Sequence, residues 1–407
     1  MITYHTADYL YPITSAPIKN GVIGLDESGK ITAVLDPASP TYAAPATAPI
    51  RHEGVLIPGF INTHCHLELS HLVGKSQTGK TLLPFLVDVI TMRASDQATI
   101  DAAIMKQDKL MWEAGIQAVG DICNKADTAA TKRASPIRYY SFVEMFDFLQ
   151  PAAAESNFET YLKAYEEQAG SNEERVKGKD RKAAVPHAPY TVSDPLYALI
   201  NSVNTGQETV SIHNQETPAE DELFQTGGGA FVDFFKGFGA SLDNFEAPGI
   251  TSIRHAMKHM DPTKRTIFVH NTLTSDDDIH AAHAWGQSGV YWATCPNANL
   301  YIENRLPNYA RFLNTDAKVT IGTDSLTSNW QLSVLEELRT ISKYQSYVSF
   351  ATLLRWATIN GAEALQFADL GSLEVGKTPG LLELKNLRGT DPDTYGIGEF
   401  TEVERIS

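Results

Sequence analysis

PGFINTHCHLELSHL, residues 58–72, sets His64, His66, Glu68 and His71 within eight residues, directly behind the apolar run Gly54-Val55-Leu56-Ile57. A short apolar run that ends in polar residues reads as a buried strand and the mouth it opens onto. Side chains two apart on a strand share a face, so His64 and His66 address one point while Cys65 turns to the core on the other side. Two readings of the pair are open here. They are core histidines satisfied by backbone carbonyls, or they are the first half of a metal site.

Moving outward, the texture of the chain changes at Val55. Downstream, VLIPGFIN, IQAVGDIC, IRYYSFVEMF, AAVPHAPY, TVSIHNQE, TIFVHNT, VYWATCP and VTIGTDS are eight strand candidates. They are separated by segments with helical spacing, such as TIDAAIMKQDKLMWEAG and NFETYLKAYEEQAG. Eight βα units predict an α/β fold of the (β/α)8 barrel type. Upstream, ITYHTADYLYPI and GVIGLDESGKITAVLD are strand-like, with ESGK as a hairpin turn, and LGSLEVGKTPGLLELKN near the end returns to that texture. The expected organisation is a small β-sandwich built from both chain ends, residues 1–55 and 368–407, around a catalytic barrel spanning 56–367. The stretch 224–249, FQTGGGAFVDFFKGFGASLDNFEAPG, carries six glycines and six phenylalanines and reads as a lid over the barrel mouth. Its triple glycine is no nucleotide fingerprint, because neither GxGxxG nor GxxxxGK[ST] occurs.

Composition narrows the partners. The net charge of −16 and the lack of a basic stripe disfavour nucleic acid, since phosphate neutralisation needs clustered Lys and Arg. The densest basic stretch, Arg175 to Lys182, reads as a loop. No run of about 18 apolar residues predicts a membrane helix, and the N-terminus has no secretory pattern. Cys65, Cys123 and Cys295 are an odd, widely spaced trio, which points to a reducing cytoplasm rather than a disulfide framework. A small-molecule substrate is expected, and a homodimer is compatible with everything in the chain.

The other strand candidates repeat the first one's habit. His187 ends the fourth, His213 the fifth with Glu216 three residues on, His270 the sixth and Asp324 the eighth. Barrel active sites form at the C-terminal ends of strands. Three imidazoles and a carboxylate converging there suit Zn²⁺, with Fe²⁺ the alternative, and leave a position for water. Five separately satisfied polar groups in one barrel mouth would be costly, so the metal reading prevails.

PGFINTHCH, PHAPYTVS, HNQET, FVHNT, CPNANL, GTDS and GSLEVGKTPG together resemble the amidohydrolase superfamily, in its adenosine, guanine and S-adenosylhomocysteine deaminase-like branch, over about residues 55–380. The resemblance implies that His64, His66, His213 and Asp324 hold one divalent metal. It implies that Glu216 shuttles protons, that His270 contacts the activated water, that Asp324 accepts its proton, and that His187 contacts substrate. Binuclear members carry a carboxylated lysine at the end of the fourth strand; here AAVPHAPY has none and Lys182 lies upstream. S-adenosylhomocysteine-type relatives place a ribose-binding glutamate after the first strand, where this chain offers Leu83 and Pro84. The HLELS continuation resembles the 6-aminodeoxyfutalosine deaminases instead, with Glu68 taking a polar group of substrate and Arg305 or Arg311 meeting a carboxylate. The implied reaction is hydrolytic removal of ammonia from an aminated purine-type ring. The alternatives are a guanine or pterin deaminase, a chlorohydrolase or imidazolone-type hydrolase on the same metal set, and a non-catalytic scaffold.

The remaining histidines carry less. His71 reads as a loop residue, and His280 and His283 as the solvated face of an outer helix. His255 and His259 lack the glutamate of HExxH. His66-Leu67-Glu68 mimics the H-x-E of the cytidine deaminases, but P-C-x-x-C is absent.

Overall fold

A computed structural model describes residues 1–170 and 180–407. All eight strand candidates are strands: β1 (Phe60–Cys65), β2 (Ile116–Cys123), β3 (Arg138–Met145), β4 (Arg181–Pro186), β5 (Thr209–Asn214), β6 (Arg265–His270), β7 (Val290–Thr294) and β8 (Val319–Ile321). They form two four-stranded sheets, ordered β4-β3-β2-β1 and β5-β6-β7-β8. Backbone hydrogen bonds join the two. The His213 amide donates to the His187 carbonyl at 3.0 Å, and the Thr323 and Asp324 amides donate to the His64 carbonyl at 2.9 and 3.0 Å. Cys65 and Asp324 form a parallel bridge at the second junction. The result is the (β/α)8 barrel that the sequence predicts. The strands are buried along almost their whole length, which is why they read as near-continuous apolar runs.

By compactness the chain divides into two units. One comprises Met1–Asn62, Lys109–Ala118 and Ser333–Ser407; the other comprises Thr63–Asp108 and Val119–Leu332. The first unit contains two sheets drawn from both chain ends. Ile31–Leu35, Val22–Leu25, Thr3–Thr6 and Ile50–Arg51 make one, in that order. Glu402–Arg405, Leu381–Lys385, Val55–Pro58, Tyr9–Leu10 and Ile18–Lys19 make the other. Leu10, Ile23, Leu25, Ile31, Leu56 and Leu381 share one buried cluster, so the two sheets form a sandwich. The unit also carries the helices Val334–Tyr344, Phe350–Ala357 and Ile359–Ala364.

Three local expectations need correction. VLIPGFIN is not one strand: it breaks at Gly59. Val55–Pro58 pairs antiparallel with Leu381–Lys385, and only Phe60–Cys65 enters the barrel. A Cβ at Gly59 would lie 2.2 Å from Gln117 Cγ and 2.7 Å from the Pro379 carbonyl, so only glycine fits the crossing. The 224–249 stretch is not all loop. It holds the helix Ala230–Gly237, whose Phe231 and Phe235 are buried. His71 is not in a loop but in a 3₁₀ turn, Leu67–Leu72; it is buried, and its Nε2 lies 2.9 Å from the Arg93 carbonyl. Of the basic stretch, Arg175 to Lys179 lie outside the described residues, while Arg181 and Lys182 open β4.

Candidate active site and metal centre

The strand ends bring His64, His66, His213, His270 and Asp324 together in the barrel mouth. The ligand atoms of His64, His66 and His213 all lie within 4.8 Å of one another. His66 Nε2 is 3.2 Å from His213 Nε2. Asp324 Oδ1 is 3.4 Å from His66 Nε2 and 3.6 Å from His64 Nε2. Such spacings are close to the roughly 3.3 Å between neighbouring ligands in a tetrahedron of 2.0–2.1 Å bonds.

The protonation states suit a metal as well. Burial is the largest effect on each ring. It pushes His66 and His270 down to about 3, His187 down to about 4, and His213 well below its ordinary value. All four imidazoles are therefore neutral near neutral pH. His213 Nδ1 lies 2.7 Å from the His187 carbonyl, which can only accept. The proton of His213 thus sits on Nδ1, and Nε2 turns its lone pair toward His66. Burial opposes ionisation of Asp324, but the hydrogen bond from His64 and the proximity of His66 and His270 outweigh it and hold its carboxyl well below the usual range. Ser328 Oγ donates to Asp324 Oδ2 at 2.7 Å and fixes the carboxylate. The donor set fits a divalent cation such as zinc. A second overlapping group, Glu144, His187 and His213, also has its ligand atoms within 4.8 Å of one another.

Around this floor lies a cavity of about 140 Å³. Glu216 lines it, buried to 4% exposure, and its Oε1 has no hydrogen-bond partner among the described residues. Burial first, then the charges of Asp324, Glu220 and Glu303, raise its carboxyl well above the ordinary value. His270 Nε2 stands 3.6 Å from Glu216 Oε2. Asn299, from the CPNANL motif, offers its amide to His270 Nδ1 at 3.1 Å, which leaves the Nε2 proton facing Glu216. His270 and Asp324 take left-handed backbone angles, φ 73° and 56°. Such conformations cost about 1–3 kcal/mol in non-glycine residues and persist where neighbours impose them. His187 lines the cavity too, with Nδ1 2.8 Å from Thr191 Oγ1 and Nε2 3.9 Å from Glu144 Oε2.

Glu68 lines the cavity but is already engaged. Arg93 donates to its Oε1, and the Asn124 and Lys125 amides donate to Oε2 at 3.1 and 3.3 Å. Its carboxyl is pushed up to about 7, by burial first and against the pull of Arg93. Its partner Arg93 also reaches Asn124 Oδ1 at 2.7 Å and faces the cavity. Arg305 and Arg311 do not reach the pocket. Arg305 is exposed, and Arg311 donates to the Thr274 carbonyl and neighbours Asp276. The opposite wall is apolar: Leu82, Phe85 and Val89 of the helix Leu82–Met92, with Phe146, Phe148 and Phe234.

Sequence reasoning passed over Arg93, Asn124, Glu144 and Glu220. Glu144 had a visible signal, a lone carboxylate at the end of the apolar run IRYYSFVEM. Glu220 is fully buried and accepts the Gln215 and Glu216 amides at 2.9 and 3.2 Å, so it shapes the turn that presents Glu216. Lys182 donates to the Tyr165 carbonyl at 2.7 Å and does not line the cavity.

Known proteins resemble the chain along most of its length. The chain is 27% identical over 339 residues to an aminodeoxyfutalosine deaminase of a Nitratiruptor species, covering 81% of this chain and 79% of the relative. It is 26% identical over 385 residues to an adenosine deaminase of Helicobacter pylori, covering 93% and 88%. Its fold matches the crystal structure of H. pylori aminofutalosine deaminase in complex with methylthio-coformycin, with a TM-score of 0.78 and 22% identity over 96% of this chain and 94% of the other. The model of the amidohydrolase family matches residues 55–396. With the barrel, the strand-end ligand set and this match in hand, the chain belongs to the amidohydrolase family.

Proposed function

We propose that this chain is a metal-dependent hydrolytic deaminase that converts an amino-bearing purine-type ring to the oxo form and releases ammonia, with 6-aminodeoxyfutalosine or a related adenine nucleoside as substrate. The observation that carries this reading is Glu216: a buried carboxyl with a raised pKa and a free oxygen, beside a neutral His270 and the three-histidine, one-aspartate set. One zinc ion held by His64, His66, His213 and Asp324 would lower the pKa of water to about 7 and supply the nucleophile at neutral pH. Asp324, ionised, would take a proton from the attacking water. Glu216, protonated, donates to the ring nitrogen next to the amino-bearing carbon and makes that carbon electrophilic. His270 donates from Nε2 to the oxygen that develops negative charge. Asp324 would then pass the water's proton to the departing amino group, which leaves as ammonia, and Glu216 would take the remaining hydroxyl proton as the oxo group forms, which restores both carboxyls.

The names of the relatives support the deaminase class. The pocket supports a nucleoside with an extended apolar tail. The wall from Leu82 to Val89 with Phe146, Phe148 and Phe234 suits an aromatic group, and Arg93 with Asn124 supplies a polar end. In this reading His187, which lines the cavity, contacts the ring or ribose. The reading includes a catalytic barrel over 56–367 with a β domain of 1–55 and 368–407, a cytoplasmic location in keeping with three free, buried cysteines, and a homodimer. Among the described residues no helix is long and apolar enough to cross a membrane.

Ammonia release by the zinc-loaded protein tests the proposal. The panel holds 6-aminodeoxyfutalosine, adenosine, S-adenosylhomocysteine, guanine, a pterin amine and a chlorotriazine. Ammonia from one adenine nucleoside at high kcat/KM is the expected result. Chloride release, or silence from every ring amine with metal bound, overturns it.

A further inference from the structure

Two histidines outside the barrel mouth lie one helical turn apart. His255 and His259 occupy the helix Ser252–His259, and residues at i and i+4 share a helix face. Their ring centroids are 4.7 Å apart. Asp194, the first residue of the helix Asp194–Val203, reaches toward them from a second element. Its Oδ1 is 3.3 Å from His259 Nε2 and 4.0 Å from His255 Nε2, and the three ligand atoms lie within 4.8 Å of one another.

An ordinary ion pair accounts for only part of this. The 3.3 Å contact pairs His259 with the Asp194 carboxylate. The 4.0 Å contact is too long to be a hydrogen bond. His255 is buried to 8% exposure, and its Nε2 has no hydrogen-bond partner among the described residues. A buried ring nitrogen aimed at a carboxylate and a second imidazole, yet bonded to neither, is what a missing shared partner leaves behind. Two imidazoles and a carboxylate are a zinc-type donor set; the 3.3 Å separation already matches a tetrahedron, and the 4.0 Å one has to close by about 0.7 Å. Asp194 is exposed, so water can complete the coordination.

We propose that Asp194, His255 and His259 form a second divalent-metal site, suited to zinc, that shares no ligand with the barrel-mouth set. The ion joins the helix Asp194–Val203 to the helix Ser252–His259. Its reach extends inward, because the His255 ring packs against Phe224 at 4.6 Å. Phe224 belongs to the buried cluster of Tyr190, Phe231 and Phe235, which backs the apolar side of the pocket. Occupancy of the outer site therefore stiffens that wall.

The test is zinc stoichiometry of the full-length protein carrying its barrel metal. Elemental analysis after equilibration with buffered micromolar Zn²⁺ is compared for wild type, His259→Gln and Asp194→Asn. Both altered residues are partly or largely exposed, so the variants fold. Wild type is expected to hold one equivalent more than His259→Gln, and Asp194→Asn to bind that equivalent at least tenfold more weakly. Added zinc is expected to raise the melting temperature of wild type further than that of His259→Gln. Equal zinc content in wild type and His259→Gln overturns the proposal.

Discussion

In the proposed reaction Glu216 does the most with the least support. Its carboxyl has a free oxygen, no cation beside it among the described residues and a pKa raised well above the ordinary range. A glutamine there keeps shape and burial and removes only the proton. Glu216→Gln is therefore expected to lower kcat by about 10² to 10⁴, the usual worth of a positioned acid–base group, while metal content stays at the wild-type value. Near-normal turnover would remove Glu216 from the mechanism. The places of this residue, the histidines and Asp324 were legible in the sequence, because each lies at or just past the end of an apolar strand, while the proton-shuttling role of Glu216 came only from the family resemblance. Arg93 was not legible, because it follows the helix Leu82–Met92 and carries no strand-end pattern; Asn124 had that signal, directly after IQAVGDIC, and only the fold places both against Glu68. Lys132 is the extreme case. It is fully buried, 2.6 Å from Asp121, with Ser141 Oγ at 2.9 Å. Burial favours losing its charge, but Asp121 more than offsets this and raises the ammonium's pKa. Asp121 in turn accepts the Leu67 amide at 2.8 Å, just past the candidate ligand His66. Lys132→Met strands a buried carboxylate and is expected to cost about 3–5 kcal/mol. Adding Asp121→Asn should recover much of the loss in urea denaturation, and strictly additive losses would mean the pair is not coupled.

At the scale of elements, the strands were readable and their boundaries were not. Eight apolar runs gave the barrel, because strands buried on both faces need little else in sequence. The split of VLIPGFIN at Gly59 was invisible, since Val55–Pro58 and Phe60–Cys65 are equally apolar and the break is set by Gln117 and Pro379 from distant parts of the chain. Ala230–Gly237 was hidden for a related reason: its glycine-rich flanks read as loop, while its phenylalanines make it a helix by packing on Tyr190 and Leu223. Gly322 marks where two elements must touch. A Cβ there would stand 2.7 Å from His64 Cβ and 2.8 Å from Cys295 Sγ. Because the Thr323 and Asp324 amides bond the His64 carbonyl, pushing β8 away from β1 separates Asp324 from the histidines. Gly322→Ala is expected to weaken metal binding about 10- to 100-fold, the range typical of disturbing what orients a ligand. Chelator competition measures it, and unchanged affinity would mean that the strand ends tolerate the extra methyl.

Across the barrel as a whole, burial sets two opposed groups of titrations. The folded-state values of His66 and His270 near 3, and of His187 and His255 near 4, lie below the 6.5 of an exposed histidine. Below 6.5 the unfolded chain takes up protons that the folded chain refuses, so these groups contribute stability at higher pH and lose it as pH falls. The carboxyls run the other way. Glu68 and Glu144 are raised to about 7 and Glu220 to about 8, against 4.5 when exposed. Above 4.5 the unfolded chain releases protons that the folded chain keeps, so stability is lost as pH rises through 7 to 8. Between about 4.5 and 6.5 the two sets offset each other, and outside that window one acts alone. The metal-free protein is therefore expected to be most stable near about pH 5 to 6, with a lower urea midpoint at both pH 4 and pH 8. A divalent cation beside these groups favours ionised carboxylates, so zinc should raise the midpoint more at about pH 8 than at about pH 5.5. A metal-free midpoint that climbs steadily from pH 5 to pH 8 would show that the buried carboxyls are ionised in the folded state, and that Glu216 would then need substrate or metal to become an acid.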